Sequence, residues 1–149
     1  MSGRQALIDI TEAAYAAFAR GDLPALLALC DPACSWEAPG FVALMPWARR
    51  HDGHAGVREF IAELHAHLEF QAFAPQALVV DEAAGQVVAL GSARCRVLAS
   101  DRVYHNQWAH LFTLRDGLIT GFREYPDTAA QLAAIHPALL ADPRLNQEP

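Results

Sequence analysis

The chain has 149 residues, 53% of them hydrophobic and 19% charged, a composition that fits one folded domain with a real core and argues against disorder. A formal charge of −6 with no run of Lys and Arg argues against nucleic-acid binding through phosphate neutralisation, and no apolar run reaches membrane-spanning length. The opening "MSGRQALIDI" lacks the features of a secretory leader, and three cysteines, an odd count, argue against a disulfide framework, so a cytoplasmic location is expected.

In chain order, Leu7, Ile10, Ala14, Ala17 and Phe18 recur at helical spacing, which predicts a helix over Leu7–Arg20 ended by Gly21. Asp22 can cap a short helix over Leu23–Cys30 with Pro24 in its first turn. Cys30 and Cys34 are close in sequence, but Asp31-Pro32 lies between them, and buried small thiols are expected rather than a redox pair. "ACSWEA" reads as a short strand closed by Pro39-Gly40. Residues Phe41 to Asp52 read as a loop apolar enough to cover something.

"HDGHAGVREF" leads from a glycine-bracketed turn into a helix whose face is Val57, Phe60, Ile61, Leu64 and Leu68. Its histidines invite a metal reading. His65 and His67, two apart on a helix, point roughly 200° away from each other and cannot chelate together. His51-x-x-His54 would need a particular loop geometry and further ligands, so no metal site is expected and these histidines read as solvated.

After Phe70 the pattern turns to strands over Gln71–Asp81, Gln86–Ala99, Val103–Leu114 and Leu118–Tyr125, joined by the hairpin-like "EAAG", "SD" and "RDG". A last helix begins in "PDTAAQLAAI", capped by Asp127 or Thr128. From Pro137 to residue 149 the tail reads as irregular. Helices first and an antiparallel sheet after predict a single α+β domain over residues 1–149, with its core at about 6–135.

The strand Val103–Leu114 alternates. Tyr104, Asn106, Trp108, His110, Phe112 and Leu114 share the bulkier, more aromatic face, which is expected to point inward. Asn106 and His110 must then find partners among aromatic rings. His110 is either a general acid or base or a structural histidine bonded to a neighbour. In the last strand Thr120, Phe122 and Glu124 share one face and Ile119, Gly121, Arg123 and Tyr125 the other, and the pattern alone does not choose between them.

Three stretches together resemble the nuclear-transport-factor-2-like superfamily, in its SnoaL-like branch, from about Ala6 to Ile135. They are "YAAFARGDLPALLALCDPACSWEAPG", "MPWARRHDGHAGVREF" and "HLFTLRDGLITGFREYPDT". The resemblance implies a cone-shaped, curved antiparallel sheet wrapped around the N-terminal helices, with a third helix, a short C-terminal helix, a pocket in the wide end and a homodimer. It places the Phe122/Glu124 face towards the pocket, where limonene epoxide hydrolases of this superfamily carry a catalytic carboxylate, and it aligns Arg94 with their catalytic arginine. The match then breaks. Arg96 stands where their second carboxylate falls, and Trp36 and Ala38 replace their tyrosine and asparagine. Against the ketosteroid isomerases, the catalytic aspartate falls at Ala38, the tyrosine at Ala14 and the proton-donating aspartate at His110.

The expectation is a SnoaL-like protein that binds a small, mostly apolar organic molecule and needs no cofactor. Trp36, Trp47, Trp108, Phe112 and Phe122 would form the apolar wall, and Tyr104, Asn106, His110, Glu124 and Arg94 the polar end. As an enzyme it would run proton-transfer chemistry of the isomerase, cyclase, dehydratase or hydrolase type, with His110 or Glu124 shuttling the proton and Arg94 holding an oxyanion. The alternative is a non-catalytic binding or dimerisation module. The face of the Gln86–Ala99 strand opposite Arg94, with Val87, Ala89, Gly91, Ala93, Cys95, Val97 and Ala99, is expected to pack on a second subunit.

Overall fold

A computed structural model describes residues 3–146, so Met1, Ser2 and the last three residues of the expected irregular tail lie outside the described residues. Helix α1 spans Gly3–Ala19 and α2 spans Leu23–Ala28, with the Asp22 carboxylate accepting from the Ala25 N–H at 3.1 Å as an N-cap. Strand β1 follows at Cys30–Glu37, β2 at Arg50–Asp52, and α3 at Gly53–His67. Four longer strands come next: β3 (Leu68–Asp81), β4 (Gln86–Val97), β5 (Val103–Arg115) and β6 (Leu118–Tyr125). Helix α4 spans Thr128–Ile135, capped by Asp127, whose carboxylate accepts from the Ala130 N–H at 3.0 Å. The described part of the tail winds into two short 3₁₀ turns, Pro137–Ala141 and Pro143–Asn146, where irregular chain was expected.

The six strands form one sheet in the order β2-β1-β6-β5-β4-β3. Its long strands pair antiparallel, but β1 runs parallel to β6, so the sheet is mixed and not wholly antiparallel as expected. The β5–β6 hairpin turns on Asp116 (φ 52°) and Gly117 (φ 78°). Two successive positive φ values are what a type I′ turn demands, and Asp-Gly supplies them.

Two features decide which side chains reach the interior. In β4 the small face Val87, Ala89, Gly91, Ala93, Cys95 and Val97 is buried by the chain's own core, and Arg94 points the other way. The expected subunit contact on that face is therefore overturned, and so is the inward placement of Arg94. The reason is volume: β5 fills the interior with rings, and Gly91 lies directly opposite Trp108, whose indole would stand 2.3 Å from a Cβ at position 91. In β6 a register shift relative to β5 falls between the Thr113–Gly121 and Leu114–Ile119 pairs. Thr120 is the extra residue, and its hydroxyl donates to the Thr113 carbonyl at 3.1 Å. The bulge switches phase, so Ile119 on one side of it and Phe122 on the other both turn inward.

The apolar loop after β1 does cover the core in part. Met45 and Trp47 are fully buried, whereas Phe41, Val42 and Leu44 stay exposed.

Candidate functional site

The curved sheet and helices α1 and α3 enclose a narrow cavity of about 60 Å³. Of the residues picked from sequence, Trp36, Tyr104, Asn106, Trp108, His110, Phe112, Phe122 and Glu124 line it. Trp47 is not among the lining residues: it is buried beneath its own loop, where its ring meets His67 and its carbonyl meets His51. Arg94 is also absent. It lies exposed on the outer face of the sheet, paired in register with His105, and its Nε donates to the Gln71 side chain at 2.9 Å.

The polar end is built around His110. Its imidazole stacks on Trp108, with centroids 3.9 Å apart and planes 10° from parallel, and meets Phe122 edge-on at 4.8 Å. Tyr15 comes from α1, and its hydroxyl lies 2.8 Å from His110 Nδ1. With the tyrosine as donor, the ring proton sits on Nε2, which faces Glu124 Oε2 at 3.9 Å. Tyr15 was missed in the sequence although it lies one position after Ala14, where the isomerase comparison places a tyrosine. The signal available was its place three residues before Phe18, beside the apolar stripe of the first helix.

Burial sets the charge states. It pushes the Glu124 carboxyl up to about 7 and the His110 imidazole down to about 3. It also raises the Tyr15 phenol far above its ordinary value, with the Glu124 charge adding to the effect. Near neutral pH the site therefore holds a neutral histidine, a neutral phenol and a carboxyl group able to gain or lose a proton. Its two side chains, 7% and 13% exposed, are not hydrogen-bonded to each other and remain available to a third atom.

The aromatic wall is continuous. Trp36 stacks on Phe122 at 4.2 Å, and Phe73 stacks on Trp108 at 5.1 Å. The indole N–H groups of Trp36 and Trp108 are buried and unpaired among the described residues. Two other polar lining residues are already engaged. Asn106 Oδ1 accepts from the Asp127 backbone N–H at 2.8 Å and so anchors α4, and the Tyr104 hydroxyl accepts from Gln131 at 3.0 Å.

The histidines of "HDGHAGVREF" are not simply solvated, and each meets a different backbone carbonyl. His51 is buried with Nε2 3.0 Å from the Trp47 carbonyl, and the half-buried His54 reaches the Cys30 carbonyl at 2.9 Å. His65, exposed, stacks on Phe18, and His67, also exposed, bonds the Glu63 carbonyl. Cys30, Cys34 and Cys95 are free, buried thiols, and burial pushes Cys30 up to about 12. Among the described residues no helix is long and apolar enough to cross a membrane.

A mixed sheet packed on helices, with a ring-lined cavity on its inner face, defines the class of nuclear-transport-factor-2-like α+β cones. The chain belongs to the SnoaL-like domain family, which matches residues 11–122. It is similar to an NTF2-like protein from Burkholderia xenovorans LB400, with 29% identity, a TM-score of 0.80, and 89% of this chain and 98% of that one covered. An NTF2-like protein from Burkholderia pseudomallei K96243 gives 26% identity and a TM-score of 0.80 over 91% and 99% of the two chains. TerC, co-crystallised with polyporic acid, gives 26% and 0.78 over 87% and 98%. No curated protein matches the chain.

Proposed function

We propose that the cavity binds a small, mostly apolar, ring-containing organic molecule and that Glu124 and His110 move a proton on it without a cofactor. The observation that carries this reading is the juxtaposition of an imidazole Nε2 and a carboxyl oxygen at 3.9 Å, at the end of an aromatic chamber. Ionised Glu124 takes a proton from a carbon or oxygen of the ligand and later returns it. The neutral imidazole, held by Tyr15, donates from Nε2 to the oxygen on which charge develops. A neutral donor of this kind stands in for the arginine first expected in that role, which faces solvent. The relative crystallised with polyporic acid supports an organic acid or related ring compound as the ligand class.

The test is hydrogen exchange at the α-carbon of a flat cyclic ketone such as 2-tetralone in D₂O, followed by NMR. Exchange catalysed by the parent and lost in Glu124→Gln supports proton transfer. The alternative is a binding module without catalysis, which the use of Asn106 and Tyr104 to hold α4 favours. Its signature would be quenching of the tryptophan fluorescence by the ketone with no exchange.

The homodimer that the resemblance implies we place on the outer face of the sheet. There the cross-strand rows Val79–Val88–Leu111 and Ala77–Leu90–Ala109–Tyr125 leave Val79, Leu90 and Tyr125 exposed. Light scattering of the parent and of Leu90→Lys checks this. The three free, buried cysteines support a reducing, cytoplasmic setting.

A further inference from the structure

We propose a divalent transition-metal site, of the kind that takes Zn²⁺, formed by His51, Glu59 and Glu63 and separate from the cavity. One ligand atom from each of these residues falls within 4.8 Å of the others. Glu59 and Glu63 are one turn apart on α3, so their carboxylates share a face, and β2 brings His51 to that face. Phe60 separates this cluster from the cavity: its ring lines the chamber and meets His51 edge-on at 5.4 Å.

His51 makes this more than a pair of surface acids. Its side chain is fully buried, and Nε2 lies 3.0 Å from the Trp47 carbonyl. A carbonyl only accepts, so Nε2 carries the proton. In the neutral ring Nδ1 then presents a bare lone pair, without a hydrogen-bond partner among the described residues, 3.7 Å from Glu59 Oε1. Glu63 Oε2 is likewise buried and unpartnered among the described residues. Three electron-pair donors therefore converge where a cation belongs. A ring N–H donated to a backbone carbonyl while the other nitrogen faces the ion is the usual outer support of a metal-bound histidine.

The side chain now neutralising the carboxylates is Arg49, which contacts Glu59 and lies 3.0 Å from Glu63. Its side chain is 39% exposed and long enough to swing into solvent. Tetrahedral zinc ligands at about 2.0 Å from the ion stand about 3.3 Å apart, a contraction that rotation of the two glutamates supplies. Glu59 is half exposed, which leaves a fourth position for water. Bound metal would tie the loop carrying Trp47 and Arg49 to α3.

The experiment is calorimetric titration of the whole chain with ZnCl₂ alone, repeated with Co²⁺ to read the coordination by visible absorption. One ion per chain is expected, with a rise in melting temperature and a tetrahedral cobalt spectrum. Arg49→Gln should bind at least tenfold more tightly, because a competing cation is gone, whereas Glu59→Gln and Glu63→Gln should each bind at least tenfold more weakly. These surface variants leave the buried His51 in place, so folding does not confound the result. Overturning results are no binding by both the parent and Arg49→Gln, which makes Arg49 the permanent counter-ion, or binding unchanged in the glutamine variants, which puts the ion elsewhere.

Discussion

His110 and Glu124 stand opposite each other in the β5–β6 pairing, with Nε2 and Oε2 3.9 Å apart. A non-adjacent sequence pair becomes a site because a hairpin turn on Asp116-Gly117 fixes the register and the Thr120 bulge sets the phase. Burial then drives both groups towards their neutral forms from opposite directions of pH.

The opposition has a measurable consequence. Glu124 ionises near 7 in the folded chain against an ordinary 4.5, so the unfolded chain loses this proton first as pH rises, and the folded state is disfavoured by about 3 kcal/mol between pH 4.5 and 7. His110 acts in reverse: its folded value near 3 against 6.5 lowers stability as pH falls through that window. The two slopes offset each other between pH 4.5 and 6.5. Glu124→Gln should unmask the histidine slope alone, so its stability relative to the parent should grow by about 3 kcal/mol from pH 4.5 to 7. Urea unfolding at half-unit pH steps checks this, and catalysed exchange in the parent should rise with pH through about 7 as the base forms.

Tyr15→Phe removes the hydroxyl bonded to His110 Nδ1 and leaves a buried acceptor unpaired. The expected loss is about 1–3 kcal/mol of stability. Nitrogen-15 shifts of the His110 ring should also move, because nothing then holds the proton on Nε2. Unchanged shifts would show that the tautomer is set by Glu124.

Arg94→Met should change stability by less than about 0.5 kcal/mol, since the guanidinium is exposed and bonded only to the Gln71 side chain among the described contacts. Ligand binding should be unaffected. A large loss in either measurement would mean that Arg94 itself is covered in solution, beyond the Val79, Leu90 and Tyr125 patch.

Gly91→Ala places a methyl group against the Trp108 ring at 2.3 Å and the Ala74 carbonyl at 2.6 Å. The carbonyl belongs to a paired strand and cannot retreat, so the ring must. About 1–3 kcal/mol of stability should be lost. The near-ultraviolet circular dichroism should change as Trp108 and the His110 stacked on it are displaced.

The inward face of β5 was legible because its side chains are bulkier and more aromatic than those of the opposite face, and every member of it is buried. The facing strand was harder to read. Its inner residues are small because Trp108 and its neighbours occupy the space, so a row such as Ala89, Gly91 and Ala93 resembles a contact surface when read alone. The resemblance then pulled Arg94 inward. In β6 no uniform alternation could be correct, since the bulge at Thr120 changes the phase midway. His51 read as solvated because its burial depends on the loop over Met45 and Trp47, a tertiary arrangement with no periodic signal. Glu59 and Glu63, four apart on a helix, were a visible pair whose third member only the fold supplies.

The parallel pairing of β1 with β6 also constrains how the chain folds. Glu37 on β1 accepts from Arg123 on β6 at 2.8 Å across a sequence separation of 86, and Trp36 stacks on Phe122 beside that contact. The early strand therefore has only the three-residue β2 to pair with until the last strand arrives. On a ribosome, the first half of the sequence would emerge with one edge unsatisfied and the Phe122 side of Trp36 uncovered. Closure of such long loops makes folding slow and exposes the intermediate to aggregation. The same late contact makes β6 the closing step, so the wall of the cavity and its acidic group arrive together.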